Sequence, residues 1–165
     1  MIEIIPATSE DLATIKNLAY KIWPATYGTI LSEKQLAYML DLFYDESALQ
    51  QNVIDNHQFI FIKKNDIFIG FADYEINYKD ETVTRIHKIY LLPETQGKGF
   101  GKQLIQYIEN KALEIENNKL SLNVNRFNKA KDFYESQGFK VVFEEDVELD
   151  FGYLMEDYRM EKTLG

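Results

Sequence analysis

Cysteine is absent from this 165-residue chain, which excludes disulfides, thiolate zinc sites and an acyl-enzyme on cysteine. Histidine is nearly as scarce: only His57 and His87 are present, and they stand far apart in the sequence, so no metal site is expected. Long apolar runs are also missing, since no stretch approaches the roughly 18 residues that a membrane span requires. The first residues are too few and too acidic for a signal peptide. These absences predict a cytoplasmic protein without a membrane partner.

Basic residues are in deficit, with 18 Lys and Arg against 27 Asp and Glu and a formal net charge of −9. Because nucleic-acid binding requires a basic face, this balance argues against a nucleic-acid partner. It is compatible with a cationic substrate. Hydrophobic residues make up 45% of the chain, which suffices for one domain with its own core. No repeat or linker divides residues 1–165.

The periodicity of the apolar residues predicts an α/β chain of short strands and amphipathic helices. Proline is rare, and Pro24 is expected to break the first helix, as Pro93 is expected to end the central strand. A capping box of Ser32 and Gln35 is expected to open the second helix. The helices are predicted over residues 9–23, 33–43, 46–56, 101–116 and 128–137. The strands are predicted over residues 2–5, 59–63, 67–76, 82–92, 120–124, 139–144 and 153–162.

The turn after Pro93 carries the strongest functional signal, and it reads Gln96-Gly97-Lys98-Gly99-Phe100-Gly101-Lys102. A β-branched and aromatic strand precedes this turn, and an amphipathic helix follows it. Glycines allow backbone N–H groups to approach a phosphate closely, and the first turn of a helix favours negative charge. The spacing lacks both the magnesium-binding hydroxyl of a Walker loop and the Gly-x-Gly-x-x-Gly pattern of a dinucleotide fold. It therefore predicts an anion cradle of another kind.

Two motifs together resemble those of the GNAT superfamily of N-acetyltransferases. The glycine-rich turn resembles the family's Gln/Arg-x-x-Gly-x-Gly pyrophosphate loop. The second motif resembles Asn-x-Ala-x-x-Phe-Tyr-x-x-x-Gly-Phe, and here it reads Asn128-Lys129-Ala130-Lys131-Asp132-Phe133-Tyr134-Glu135-Ser136-Gln137-Gly138-Phe139. Many members place one more residue between the asparagine and the alanine, which leaves Asn125 or Phe127 as the alternative to Asn128. The predicted order of strands and helices matches the family along essentially the full length.

The resemblance implies both a fold and a cosubstrate. The fold is a single GNAT domain over residues 1–165, of α+β type, with a mixed, mostly antiparallel central sheet of about seven strands flanked by helices. The cosubstrate is acetyl-coenzyme A. Its pantetheine arm would pair with the central strand where that strand bulges and splays from the next, and an N–H near Leu91 would polarise the thioester. The implied coenzyme-binding residues are Ile89, Tyr90, Leu91, Gln96, Gly97, Lys98, Gly99, Phe100, Gly101, Lys102 and Asn128.

Acetyl transfer to an amine also requires an acid for the leaving thiolate and a base for the ammonium group. By family position, Tyr134 is expected to protonate the thiolate, with a core aromatic as the alternative interpretation. His87, on the central strand, is expected to be the base at neutral pH, with a structural strand histidine as the alternative. His57 lies in a polar turn and is expected at the surface. Since no cysteine is present, direct attack of the amine in a ternary complex is expected.

The acceptor pocket of this family is built by the first two helices, their connection and the strands that follow. Acidic and aromatic groups there would hold an alkylammonium by ion pairing and cation–π contact. The candidates are Trp23, Tyr27, Glu33, Asp73, Glu75 and Tyr153. Residues 22–28 and 157–164 resemble the spermidine/spermine acetyltransferase branch, so a polyamine is the favoured acceptor.

Other functions remain open at this point. An amino acid, an antibiotic or a protein N-terminus is the alternative acceptor within the class. Outside the class, the alternative is a module that senses acyl-coenzyme A without turnover. A homodimer is a further expectation, because an exposed edge strand over residues 139–144 would offer unpaired backbone to a second copy.

Overall fold

All 165 residues are described by the computed structural model, and one seven-stranded sheet runs through the molecule. The strands are β1 (Ile2–Pro6), β2 (Gln58–Lys64), β3 (Ile67–Glu75), β4 (Val83–Leu91), β5 (Lys119–Asn125), β6 (Lys140–Glu148) and β7 (Leu154–Thr163). The helices are α1 (Leu12–Tyr27), α2 (Glu33–Tyr44), α3 (Glu46–Ile54), α4 (Phe100–Glu114) and α5 (Ala130–Ser136). The sheet order is β1-β2-β3-β4-β5-β7-β6, and only the β4–β5 pair is parallel. The expected mixed, mostly antiparallel sheet is confirmed.

Helices cover both faces of the sheet, so the middle strands are buried on both sides. In β2 the side chains alternate between the faces. Phe59 and Phe61 pack with residues of α1, α2 and α3, whereas Ile60 and Ile62 pack with residues of α4. All four side chains are 4% exposed or less. This two-sided burial of apolar surface holds the central strands, which carry the site, between two helical layers.

The first helix continues through Pro24 to Tyr27, so the prediction that Pro24 breaks it is wrong. A proline inside a helix removes one backbone hydrogen bond. Here Trp23 and Tyr27 lie four residues apart on one helix face, are both buried, and contact each other with ring centroids 4.7 Å apart. The Gly28 N–H also donates to the carbonyl oxygen of Pro24 at 3.0 Å. Burial of this aromatic face holds the last turn of α1 in place.

The capping box at the start of α2 is half formed. The Ser32 hydroxyl oxygen accepts from the Gln35 N–H at 3.1 Å, as expected. The side chain of Gln35 does not return to Ser32, because its amide donates to the carbonyl oxygen of Leu154 at 2.8 Å. Gln35 therefore ties α2 to β7. The remaining predicted elements are confirmed, with ends that differ by a few residues.

A bulge at His87 interrupts the central strand β4. Asp73 of β3 pairs with Lys88, but the next residue of β3, Tyr74, pairs with Ile86. His87 is therefore the extra residue on β4 and has no partner on β3. A bulge of this kind bends its strand and strengthens the local twist.

Beyond the bulge, β4 and β5 separate. They pair only over four residues, from Val83 to Ile86 on β4, although β4 continues to Leu91 and β5 continues to Asn125. The backbone of residues 88–91 is therefore unpaired on its β5 side. The bulge and splay that the family resemblance implied are both present in the structure.

The last two strands form the edge of the sheet that lies farthest from β1. β6 is the terminal strand, and Val142 and Phe143 on it are about half exposed. The expectation of a free edge is confirmed, and the homodimer stays a prediction. None of the helices has the length and apolar character needed to cross a bilayer.

Gly70 of β3 packs tightly against β4, where it pairs with Leu91. A methyl group added there would stand 2.6 Å from both the Tyr90 carbonyl oxygen and Leu91 Cδ2. We expect Gly70→Ala to lower the free energy of unfolding by about 1–3 kcal/mol, because the backbone must shift to admit the methyl group. Urea denaturation measures this change. Gly165→Ala, the same substitution at the chain end, is the matched control, and equal stability of the two variants would contradict the prediction.

Candidate active site

A groove of about 760 Å³ opens where β4 and β5 separate. The glycine-rich turn and the start of α4 line it at one side, and the end of α1, β5 and α5 line it at others. His87 of the bulge also lines it. From the two sequence motifs the groove contains Gln96, Gly97, Gly99, Phe100, Gly101, Asn128 and Tyr134. Two segments that are about 30 residues apart in the chain thus form one site.

The glycine-rich turn presents backbone N–H groups that have no side-chain partner. Gly97 and Gly99 have φ angles of +78° and +84°, which L side chains rarely adopt. Gly99 directly precedes α4, and no side chain caps that helix at Phe100. The first N–H groups of α4 are therefore available to a pyrophosphate. Lys98 and Lys102 are exposed and do not line the groove, so the cradle consists of backbone.

The unpaired edge of β4 forms the long wall of the groove. Ile89, Tyr90 and Leu91 all line it. The side-chain amide of Gln96 donates to the Leu91 carbonyl oxygen at 3.3 Å, which fixes the turn against the end of the strand. An extended ligand such as a pantetheine arm can pair with such an edge as an added strand.

Three tyrosines from separate elements line the groove: Tyr27 of α1, Tyr90 of β4 and Tyr134 of α5. The hydroxyl oxygens of Tyr27 and Tyr90 are 2.9 Å apart. Tyr134 is 7% exposed, and its ring packs against Phe133 and Phe139. Burial, with a smaller effect from Tyr27, raises the pKa of Tyr134, so the phenol keeps its proton until an acceptor reaches it. The position of Tyr134 is compatible with both the acid and the core interpretation.

His57 is not a surface residue, and that prediction is wrong. Its side chain is 11% exposed, and its Nδ1 lies 2.7 Å from Asp73 Oδ2. Its ring stacks on the ring of His87, with centroids 3.9 Å apart and planes inclined by 7°. Two histidines that are distant in the sequence are therefore in contact.

Glu75 orients the imidazole of His87. Its Oε1 lies 2.9 Å from His87 Nε2. Because an ionised carboxylate only accepts hydrogen bonds, the ring proton of a neutral His87 lies on Nε2. Nδ1 makes no hydrogen bond within the chain and keeps its lone pair. His87 can thus accept a proton at Nδ1.

Burial is the main reason why His87 is neutral. Its pKa is lowered to about 4, chiefly by burial, with smaller lowering effects from His57 and Lys88 that Asp73 and Glu75 oppose. Burial alone would raise the pKa of Asp73, but the hydrogen bond to His57 and the ammonium of Lys88, 2.9 Å away, bring it below its ordinary value. The cluster therefore holds an ionised Asp73 near an unprotonated His87 at neutral pH.

The histidine pair also has the spacing of a metal site. The ligand atoms of His57, Glu75 and His87 all lie within 4.8 Å of one another, so the premise that the histidines are well separated is wrong. The ring geometry decides against ligation. An imidazole lone pair lies in its ring plane, and two nearly parallel planes do not direct their lone pairs at one tetrahedral ion.

The expected acceptor residues are dispersed. Of them, only Tyr27 lines the groove. Trp23 is 4% exposed and packs behind Tyr27, and Asp73 and Glu75 bind the histidine pair. Glu33 is exposed at the start of α2. Tyr153 lies in the connection of β6 and β7, where its ring contacts Tyr38.

Three residues of this region were missed from the sequence: His57, Lys88 and Asn123. Asn123 lines the groove, and its amide donates to Glu145 at 2.9 Å and to Asp157 at 3.3 Å. The strands predicted over residues 59–63 and 67–76 leave a short turn at residues 64–66. This was a signal for His57, because pairing back from that turn brings residue 57 near residues 74 and 75. Nothing in the sequence pattern singles out Asn123.

Comparisons with known proteins agree with this arrangement. The sequence model of the acetyltransferase (GNAT) domain family matches residues 30–162. The chain is 29% identical over 146 residues to the spermidine N(1)-acetyltransferase of Thermoplasma acidophilum, covering 85% of this chain and 89% of that protein. It is 26% identical over 144 residues to an uncharacterised N-acetyltransferase of Lactobacillus delbrueckii subsp. lactis, covering 83% of each.

A solved structure supports membership of the same family. The crystal structure of the PaiA N-acetyltransferase from Thermoplasma acidophilum in complex with coenzyme A has a TM-score of 0.82 and 27% identity, covering 99% of both chains. A backbone cradle, an unpaired strand edge and a groove between them suit the pyrophosphate and pantetheine of that coenzyme. The chain belongs to the GNAT superfamily and is an acetyl-coenzyme A-dependent N-acetyltransferase.

Proposed function

We propose that this enzyme acetylates a primary amine of a small molecule, with a polyamine as the favoured acceptor, by direct attack in a ternary complex. The observation that carries the proposal is the groove opened by the bulge at His87, because His87 and the buried phenol Tyr134 both line it. Since the chain has no cysteine, no protein thiol takes up the acetyl group, and the amine itself attacks the thioester.

The backbone would hold the coenzyme. N–H groups of residues 97–102 bind the pyrophosphate, and the edge at residues 89–91 pairs with the pantetheine arm. An N–H near Leu91 stabilises the negative charge that develops on the thioester oxygen. Asn128 lines the groove while its Oδ1 accepts from the Ala130 N–H at 3.0 Å, so Asn128 orders the start of α5 beside the coenzyme.

Two side chains move the protons. His87 Nδ1 accepts a proton from the substrate ammonium, and the free amine attacks the carbonyl carbon. The C–S bond breaks, and Tyr134 donates its phenolic proton to the departing sulfur. The new amide nitrogen loses its second proton to solvent, and exchange with solvent then returns a proton to Tyr134 and removes the one on His87, so that one proton is released overall. Burial raises the pKa of Tyr134 and so disfavours its phenolate. The same dry surroundings disfavour the coenzyme A thiolate, so the raised pKa of Tyr134 does not prevent proton transfer from the phenol to the thiolate.

A polyamine acceptor is supported by likeness and by charge. The relative from Thermoplasma acidophilum is a spermidine N(1)-acetyltransferase, and the net charge of −9 attracts polycations. No Asp or Glu lines the groove itself. The nearby acidic pair is Glu145 and Asp157, which both accept from Asn123 of the groove lining. This pair is our candidate for the distal ammonium of the acceptor.

A panel of amines tests the acceptor. Coenzyme A release would be followed as free thiol with spermidine, spermine, amino acids, aminoglycosides and short peptides. We expect turnover with the polyamines, because each offers a primary amine together with a second cation. Turnover with another class alone would contradict the polyamine proposal and leave the mechanism standing. Tight coenzyme A binding without turnover on any amine would favour a sensor.

Tyr134→Phe tests the acid. We expect kcat to fall by about 10²–10⁴-fold, since general acid catalysis contributes that much, while the Kd for acetyl-coenzyme A changes little. Steady-state kinetics and calorimetric titration measure the two quantities. Tyr107→Phe is the matched control, because it removes the same hydroxyl from a residue outside the groove. Undiminished turnover in Tyr134→Phe would remove Tyr134 from the mechanism.

His87→Ala tests the base. At pH 7 we expect kcat/KM to fall by about 10²–10⁴-fold, with a residual rate that climbs as the pH rises and the acceptor amine deprotonates without help. In the wild type, the low pKa of His87 keeps the base unprotonated. The fall of kcat/KM at acid pH, the acid limb of the profile, therefore lies below pH 6.5, the ordinary histidine value. Rates of both proteins over pH 5–9 give the comparison. A variant profile that matches the wild type would exclude His87 as the base.

A further inference from the structure

The stacked histidines come from different elements and different surroundings. His87 belongs to the bulge of β4 and lines the active-site groove. His57 directly precedes β2 and lines a separate cavity of about 320 Å³. Their rings are 3.9 Å apart. At this distance a positive charge on one ring opposes a positive charge on the other.

The neighbouring charges set how many protons the pair holds. From β3, Asp73 and Glu75 contribute two carboxylates, and from β4, Lys88 contributes one ammonium. The other charged or titratable neighbours are Lys111, which lines the second cavity with His57, and the Tyr78 ring, 5.6 Å from that of His87. With one proton on the histidine pair, the positive charges of that proton and of Lys88 equal in number the two carboxylates, Asp73 and Glu75. A second proton would place two like charges in contact.

The hydrogen bonds favour His57 as the ring that carries this proton. Its Nδ1 lies 2.7 Å from Asp73 Oδ2, within the range of charge-assisted bonds, and its Nε2 lies 3.7 Å from Glu75 Oε1. An imidazolium at His57 thus faces two carboxylates. His87 has a single carboxylate contact, to Glu75 at 2.9 Å. Asp73 is fully buried, which strengthens its attraction for a charge that it contacts.

We propose that the pair takes its first proton on His57, and that His57 is a positioning residue that keeps His87 neutral as the base. This inference rests on the proposed role of His87. Because His57 lines the second cavity, it exchanges protons with solvent there while coenzyme and amine cover the groove. In many active sites two neighbouring titratable groups have different surroundings and therefore different proton affinities, and this difference sets which of them acts as the base. We place the two histidines in this pattern. The low pKa of His87 agrees with this assignment.

Nuclear magnetic resonance of the folded enzyme tests the proposal directly, because the chain contains only two histidines. With ¹⁵N-labelled imidazoles, each ring reports its own protonation. His57→Asn assigns the signals, and its amide can still donate to Asp73. In the wild type we expect the His57 signal to titrate first as the pH falls, with His87 following at markedly lower pH. In His57→Asn we expect the midpoint of His87 to rise by about one pH unit or more, since the interaction between coupled groups is of that size.

The kinetic readout should move with the spectroscopic one. In His57→Asn the acid limb of kcat/KM rises by the same amount as the His87 midpoint, so the loss of rate is largest at low pH and fades toward pH 8.5. Lys111→Met is the control, because it removes the other cation of the second cavity without touching Asp73, and it should leave the acid limb in place. If His57→Asn fails to fold, His87→Asn assigns the wild-type signals instead.

Two results would overturn the inference: a His87 signal that titrates before that of His57, or a His87 midpoint unchanged in His57→Asn. Neither depends on turnover. Failure of the proposed base role has a different signature, since His87→Ala would then keep its activity and pH profile whatever the order of titration. The two failures are therefore distinguishable.

Discussion

The extra residue in β4 is the constraint on which the rest of the site depends. If β4 kept a regular register, it could pair with β5 along its whole length and close the sheet. The bulge at His87 ends that pairing after Ile86. A free strand edge and a groove result, and the glycine-rich turn and α5 lie beside them. One local irregularity thus produces both the free strand edge proposed to bind the coenzyme and the position of His87, the proposed base.

Burial of charge around the bulge is the second feature of the site. Asp73 is fully buried, and a lone carboxylate in such a place would be strongly destabilising. Contacts with His57 and Lys88 offset the loss of solvation. The same contacts hold Asp73 and Lys88 beside His87, whose pKa is lowered mainly by burial; the Lys88 ammonium lowers it too, whereas the Asp73 carboxylate raises it. The same cluster therefore both offsets the burial of Asp73 and shifts the pKa of His87, the proposed base.

Local patterns predicted much of this protein. Glycines that adopt positive φ, followed by an amphipathic helix, are recognisable because their chemistry lies within a few neighbouring residues. The same holds for Tyr134 and its motif. Local rules failed where distant packing decided the outcome. Pro24 continues a helix because Trp23 and Tyr27 are buried, and His57 lies in the interior because its imidazole contacts Asp73 of β3.

The sequence by itself determined the order of the elements, the glycine-rich turn before α4 and the family, because each is encoded in short-range spacing. The tertiary structure alone decided which distant residues meet. An unbroken hairpin from the turn at residues 64–66 would place residue 57 opposite Tyr74. A shift between Ile62 and Lys63 moves the register by one residue and brings His57 beside Glu75. In a strand a shift of one residue moves every following side chain to the other face, and no local pattern reports it.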